Sequence, residues 1–372
     1  MPVQSGNGAR AALLCALTLL LVGLGGHGAS AASPEPRAVA VPQAPEQFFG
    51  VSGRNLRSAD MRRMQGAGVE TIRTLFHFRR AKRQENGFYN WREFDRLVER
   101  TARARIELLP LLYGTPDWIT EDERTPPIYN AKAKAAWAQL LGRLVSRYGP
   151  GGLFWKLHPF VPYRPLRTWQ IWNEPNLDRY WQPAPSAEAY AELLLLSADA
   201  IHAVDPGARV ISAGILADPG RAGVSGPGYL ASLIGTPGVR DAVYRLAYHP
   251  YARGAFGVKR HLQRARQAVD RNGGRGKLIW ATEFGWGADP LVSNLLTKRD
   301  EQAQAGALSR TYKMLLRNRG RLGVDRALWY YWRDQWDPIC LWCRSAGLIR
   351  NTFRLKPAFG AYRALANPAP PG

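Results

Sequence analysis

Two glutamates stand in matching surroundings. Glu174 lies in R-T-W-Q-I-W-N-E-P-N (167–176) and Glu283 in K-L-I-W-A-T-E-F-G-W (277–286). Residues Thr168–Trp172 are β-branched, aromatic or apolar apart from Gln170, which predicts a buried strand. Pro175 has no N–H for a ladder and biases Glu174 away from helical dihedrals, so Asn173-Glu174 fall where the strand meets a loop. Leu278–Thr282 delivers Glu283 in the same way, with Gly285 turning the chain. A carboxyl beside an amide and an aromatic wall has the parts of a sugar-cleaving acid, and two such carboxyls about 5–5.5 Å apart form a proton donor and a nucleophile. Taken singly, each could be a solvated or ion-paired Glu at a strand end. Their shared context favours the chemical reading.

Other residues have the types that such a pair needs. Arg73 sits inside the apolar run I-R-T-L-F-H-F, where a guanidinium is costly unless a carboxylate meets it. It either supports a catalytic carboxylate or pairs with a structural acid. His77, close behind it, either lines a cleft or is a satisfied loop histidine. His249-Pro250-Tyr251 closes another apolar run, and Trp118 follows Gly114-Thr115-Pro116 at the end of a third. Trp118, Tyr180 and Trp181 offer flat apolar faces of the kind sugars stack on, with packing as the alternative for Trp118.

W-N-E-P-N and T-E-F-G-W, taken with Y-G-T-P-D-W (113–118) and F-Y-N-W-R-E-F-D (88–95), resemble the motifs of clan A glycoside hydrolases, in particular bacterial proteins related to families 39 and 5. The resemblance spans 48–366 and implies an α/β protein, a single (β/α)8 TIM barrel, with catalytic glutamates at the ends of strands four and seven. It implies a retaining glycosidase: Glu174 as acid/base, kept protonated by its apolar wall and by Glu283, and Glu283 as an ionised nucleophile. It further implies that Arg73 and Tyr251 hold Glu283 and that His249 contacts Glu283 or the sugar. Asn173 would bind the 2-hydroxyl, and Trp332 would form the floor under the cleaved sugar. No metal or organic cofactor is required. A transglycosylase would use the same residues, whereas a non-catalytic glycan-binding barrel would have no use for the pair. Better-known members of family 39 carry an added β-sandwich, and here the chain ends after the eighth helix.

The elements that must position these groups repeat in a regular order. Strands are expected to start near 48, 70, 107, 168, 209, 244, 277 and 324, the last continuing through Ala327–Trp332. Helical spacing falls between them at Arg57–Gly68, Glu93–Arg105, Ala131–Tyr148, Ser186–Val204, Val258–Asn272 and Arg299–Arg319, and Lys356–Leu365 closes the series. Gly220–Gly228 reads as a flexible rim loop. Alternation of this kind argues for one parallel barrel.

Residues 1–31 have one charge, Arg10, a short apolar core at Ala11–Leu24 and Ala29-Ser30-Ala31, the pattern of a cleaved secretory signal. The protein is therefore expected to be secreted or held in the cell envelope, with membrane attachment only if the signal stays uncleaved. Residues 32–47 read as a disordered Pro/Ala-rich leader and 367–372 as a disordered tail. Net charge is +22 over 372 residues, and only nine of the 51 basic residues are lysine. This balance suits an acidic polysaccharide or another anionic partner, or else reflects arginines spread over helix exteriors. No nucleic-acid motif accompanies it. Cys340 and Cys343 in C-L-W-C read as a local disulfide of an exported protein. His77, His158, His202 and His261 lack the paired spacing of a zinc site. The absence of G-x-S-x-G disfavours serine-hydrolase chemistry.

Overall fold

The computed structural model describes residues 42–292 and 294–367; the expected signal (1–31), residues 32–41 of the expected leader and 368–372 of the expected tail lie outside them. Eight strands pair in parallel, in chain order, and the last closes on the first. They are β1 (Phe49–Ser52), β2 (Thr71–His77), β3 (Glu107–Tyr113), β4 (Thr168–Ile171), β5 (Arg209–Leu216), β6 (Arg245–His249), β7 (Ile279–Phe284) and β8 (Val324–Trp329). Main helices Ser58–Gly66, Arg92–Arg103, Ala131–Tyr148, Ala187–His202, Gly226–Gly235, Ala255–Arg271, Glu301–Leu322 and Pro357–Ala366 follow the strands in turn. This is the expected TIM barrel. Strands buried on both faces explain the continuous apolar runs.

The barrel interior is filled by side chains. Leu109, Ile211, Trp280 and Leu328 form one inner cluster, and Gly50 of β1 leaves the room that Leu328 occupies, since a Cβ there would come within 2.6 Å of it. Beneath them Arg326 stacks on the Trp280 ring at 3.9 Å and bonds to Glu107, Thr71 and Gln47. Gln47, expected in the leader, thus belongs to the barrel's bottom seal. The larger core lies between the barrel wall and the helices. Among the described residues no helix is long and apolar enough to cross a membrane.

Two expectations are corrected. The segment read as a rim loop contains the start of helix Gly226–Gly235, with Ser225 accepting from the Gly228 amide and Pro227 in the first turn. Strand β8 ends at Trp329, three residues before the expected end: beyond it Tyr331 bonds to Ala346 and Leu348 of the following loop, and Trp332 divides its bonds between Ser52 of β1 and Leu348.

Candidate active site

Both glutamates reach the same mouth of the barrel. β4 ends at Ile171, and the chain leaves it through Trp172 (φ 69°) and Glu174 (φ 40°), two non-glycine residues in the left-handed region. Such conformations cost about 1–3 kcal/mol each and persist where surroundings over-determine them. Here β5 does so: Asn173 bridges to Gly214, and the Glu174 amide donates to the Gly214 carbonyl at 3.1 Å. Glu283 needs no such exit, since it is part of β7. Glu174 is 7% exposed and Glu283 8%, and both line one cleft of about 960 Å³.

Arg73 is 4% exposed and divides its guanidinium among three partners. Nη1 donates to Glu283 Oε1, Nη2 to Asn173 Oδ1 at 2.8 Å and Nε to Gln170 Oε1 at 2.5 Å. Gln170, the polar exception in its strand, is therefore the group that fixes Arg73. Tyr251 donates to Glu283 Oε2 at 2.9 Å. Both oxygens of Glu283 are thus held. Burial pushes the Glu283 carboxyl up, but His249, Arg73 and the hydrogen bonds from Tyr251 and Arg73 outweigh it and hold the group below the ordinary carboxylate range. Burial, reinforced by the Glu283 charge, drives the Tyr251 phenol well above its usual value, so it remains a donor.

His249 is fully buried and meets Glu283, as the resemblance implied, with Glu174 as a nearer partner in addition. Nδ1 lies 2.7 Å from Glu174 Oε1 and 3.7 Å from Glu283 Oε2, while Nε2 lies 3.1 Å from Thr282 Oγ1. With no exposed surface it serves the carboxylates and not a bound sugar. Glu174 accordingly has a polar partner in addition to its aromatic surroundings. One ligand atom each of Glu174, His249 and Glu283 lie within 4.8 Å of one another. That trio has the donor set of a metal site, but Arg73 already supplies the positive charge against Glu283.

Two expected aromatics are elsewhere. Trp332 is fully buried, donates to Asp60 Oδ1 at 2.9 Å and packs on Phe359, so it belongs to the wall behind the site. The shorter β8 puts Tyr330 in the cleft instead. Trp118 packs edge-on against Phe78 and donates to the Lys82 carbonyl, outside the residues that line the cleft. His77, expected to line the cleft or to be a satisfied loop histidine, is the last residue of β2 and is satisfied there by Glu123 at 3.0 Å. Of the aromatic pair after the first glutamate, Tyr180 lines the cleft and Trp181 is buried against Trp172. Trp342, inside C-L-W-C, completes the wall by packing edge-on to Tyr251 at 5.3 Å, and its loop carries the Cys340–Cys343 disulfide. A tryptophan in a pinned loop after the last strand was the signal for it.

A closed parallel barrel of eight strands, each followed by a helix, defines a class by its fold, the (β/α)8 TIM barrel, here with two carboxylates brought together where strands four and seven end. Among solved structures, the chain is similar to a family 39 glycoside hydrolase from Bacteroides cellulosilyticus, at 21% identity and a TM-score of 0.65, covering 88% of this chain and 65% of that one. It is similar to the same degree to a monomeric β-xylosidase from Caulobacter crescentus, at 21% identity and TM-score 0.65, covering 88% and 69%. A glucosidase from Croceicoccus marinus follows at 14% identity and TM-score 0.64, covering 86% and 67%. At these identities the likeness is one of fold. In sequence, a β-xylosidase from Geobacillus stearothermophilus is 27% identical over 134 residues, which is 33% of this chain and 24% of that relative. No family model matches the sequence.

Proposed function

We propose that this protein is a retaining glycoside hydrolase. The observation that carries the reading is the separation of Glu174 and Glu283, which have carboxylate oxygens within 4.8 Å of each other at the cleft. Inverting enzymes need a gap of roughly 6.5–9.5 Å to seat a water, whereas a nucleophile that attacks the sugar directly needs about 5–5.5 Å. Glu283, its charge favoured by Arg73 and Tyr251, attacks the anomeric carbon. Glu174 gives its proton to the departing glycosidic oxygen as that bond breaks. Glu174 then takes a proton from water, which displaces Glu283 and restores both groups. With Asn173 Oδ1 held by Arg73, its amide nitrogen is the group offered to the sugar 2-hydroxyl. Tyr180, Tyr330 and Trp342 supply the apolar faces of the cleft.

The neighbours named as xylosidases and a glucosidase support a β-linked pentose or hexose as the unit cleaved. Arg179, Arg253, Arg260 and Arg310 on the cleft rim, with the net charge of +22, support an acidic polysaccharide as its source. Export to the envelope or medium is supported by the N-terminal pattern and by the disulfide.

The test is a 2-fluoro glycoside trap followed by peptide mapping, run beside a panel of aryl β-glycosides. A label on Glu283, and a product with the substrate's anomeric configuration, are expected. Label on another residue would overturn the assignment, and inversion would overturn the mechanism.

A further inference from the structure

Outside the catalytic cleft lies a second groove of about 1000 Å³, with six arginines among the seventeen residues that line it. One wall is helix Arg92–Arg103 as far as Arg100, another is the loop after β1, and the third is Gln335-Trp336 with Pro338 from the loop after β8. Leu75, Phe94 and Leu97 give it an apolar floor, and Leu75 is 38% exposed although it belongs to a barrel strand.

Its charge is unbalanced. Glu93 is the sole acid among the lining residues, and it is bonded to Arg80 at 2.8 Å. Arg92, Arg96 and Arg100 stand at i, i+4 and i+8 on one helix face, a spacing at which like charges cost about 0.2–0.5 kcal/mol per pair. The helix's other acids do not relieve them, since Asp95 pairs with Arg147 and Glu99 with Arg103. Arg92 and Arg96 have no acidic partner among the described residues. Arg100 donates to the Leu56 carbonyl at 2.7 Å, so Arg92 and Arg96 are the cations of the row with neither a carboxylate nor a carbonyl partner among the described residues.

The loop after β8 joins the groove to the cleft. Gln335, Trp336 and Pro338 face the groove, while Asp337 and Cys340 face the cleft. Arg54 bridges the two by donating to Gln335 Oε1 at 2.6 Å and reaching Asp337 Oδ2 at 3.4 Å. Trp336, 72% exposed, stands on the shared wall as a stacking surface. Four residues of helix advance about 6 Å, so Arg92, Arg96 and Arg100 set a line of cations about 12 Å long, which suits an extended polyanion better than a single small anion.

From these features we infer that the groove is a non-catalytic binding site for a polyuronate chain, which engages the arginine row through its carboxylates, stacks on Trp336 and continues over the shared wall to the cleft. The choice of a glycan rests on the glycosidase reading. The experiment measures binding of polygalacturonate to the full chain as a function of salt, with neutral xylan, dextran sulfate and duplex DNA as comparison polymers. Arg92→Gln/Arg96→Gln is expected to weaken polygalacturonate binding by about tenfold and to flatten its salt dependence, because fewer counterions are released. Trp336→Ala is expected to weaken it without changing the salt slope. Arg271→Gln/Arg275→Gln, an equal change of charge elsewhere on the surface, is expected to leave it within about twofold. Equal losses in the two double variants would show general charge attraction and overturn the site. Tighter binding of duplex DNA or of dextran sulfate than of polygalacturonate, lost in Arg92→Gln/Arg96→Gln, would overturn the polyuronate. Wild-type turnover of small aryl glycosides is read separately, so absence of turnover with groove binding intact would sink the catalytic reading and leave the groove standing.

Discussion

Gly214 and His249 approach so closely that no β-carbon fits between them: an atom built there would overlap the imidazole ring. Gly214 belongs to β5, pairs with Asn173 and accepts the Glu174 amide, so one residue sets both the acid's backbone and the ring beside its carboxyl. Gly214→Ala is expected to push His249 off Glu174 and to lower kcat/KM by at least about tenfold, with a stability loss of about 1–3 kcal/mol. Kinetics and a thermal melt check it. Wild-type kcat/KM in a folded variant would refute the positioning role.

The two carboxylates should fail differently. Glu283→Ala is expected to abolish turnover of every glycoside. Glu174→Ala is expected to lose about 10²–10⁴-fold on substrates with poor leaving groups and much less on nitrophenyl glycosides, whose departure needs no proton. Comparing leaving groups of graded acidity decides it, and equal losses across the series would remove Glu174 from the acid role.

Arg73 sets the acid side of the pH profile. Burial alone would raise Glu283, and the guanidinium helps hold it below its ordinary value of 4.5. Arg73→Gln is therefore expected to move the acid limb of kcat/KM to higher pH, since more alkaline solution is needed to ionise the nucleophile. The same depression contributes folding stability that is complete above the unfolded-state value and fades as pH falls through the folded-state one. Chemical denaturation of wild type and variant between neutral and acid pH should show the difference shrinking on acidification.

Trp332 is expected to matter for stability and not for catalysis. Trp332→Phe removes one donor to buried Asp60, which keeps Arg333 and the Arg57 amide, so a loss of about 1 kcal/mol is expected with kcat/KM unchanged. Tyr330→Ala, in the cleft, should raise KM. The reverse pattern would restore Trp332 to the floor of the site.

The barrel was legible because each strand is a compact apolar run bounded by Pro, Gly or a charged turn, and the glutamates because Pro175 and Gly285 mark where their strands stop. Arg73 was legible by its cost. The end of β8 was not, since Trp329-Tyr330-Tyr331-Trp332 is equally aromatic throughout and has no breaker to show where pairing stops. Helix Gly226–Gly235 did have a signal, Ser225 followed by Pro227, but its glycines suggested a loop. Gly214 left no trace, because a glycine in a strand does not announce what presses against it. The groove escaped notice because its walls come from three distant segments, and only folding gathers their arginines.

Ring closure has a consequence for biogenesis. The seam that joins β1 to β8 pairs Phe49 with Ala327 and Val51 with Trp329, and Ser52 in β1 also reaches the Thr282 carbonyl next to the nucleophile. A ribosome releases those partners in order, so the first strand must wait for nearly the whole chain before its second edge is covered. Nascent intermediates therefore carry an open edge and an unfinished pocket, and any truncation that removes β8 should yield an aggregating product rather than a weak enzyme.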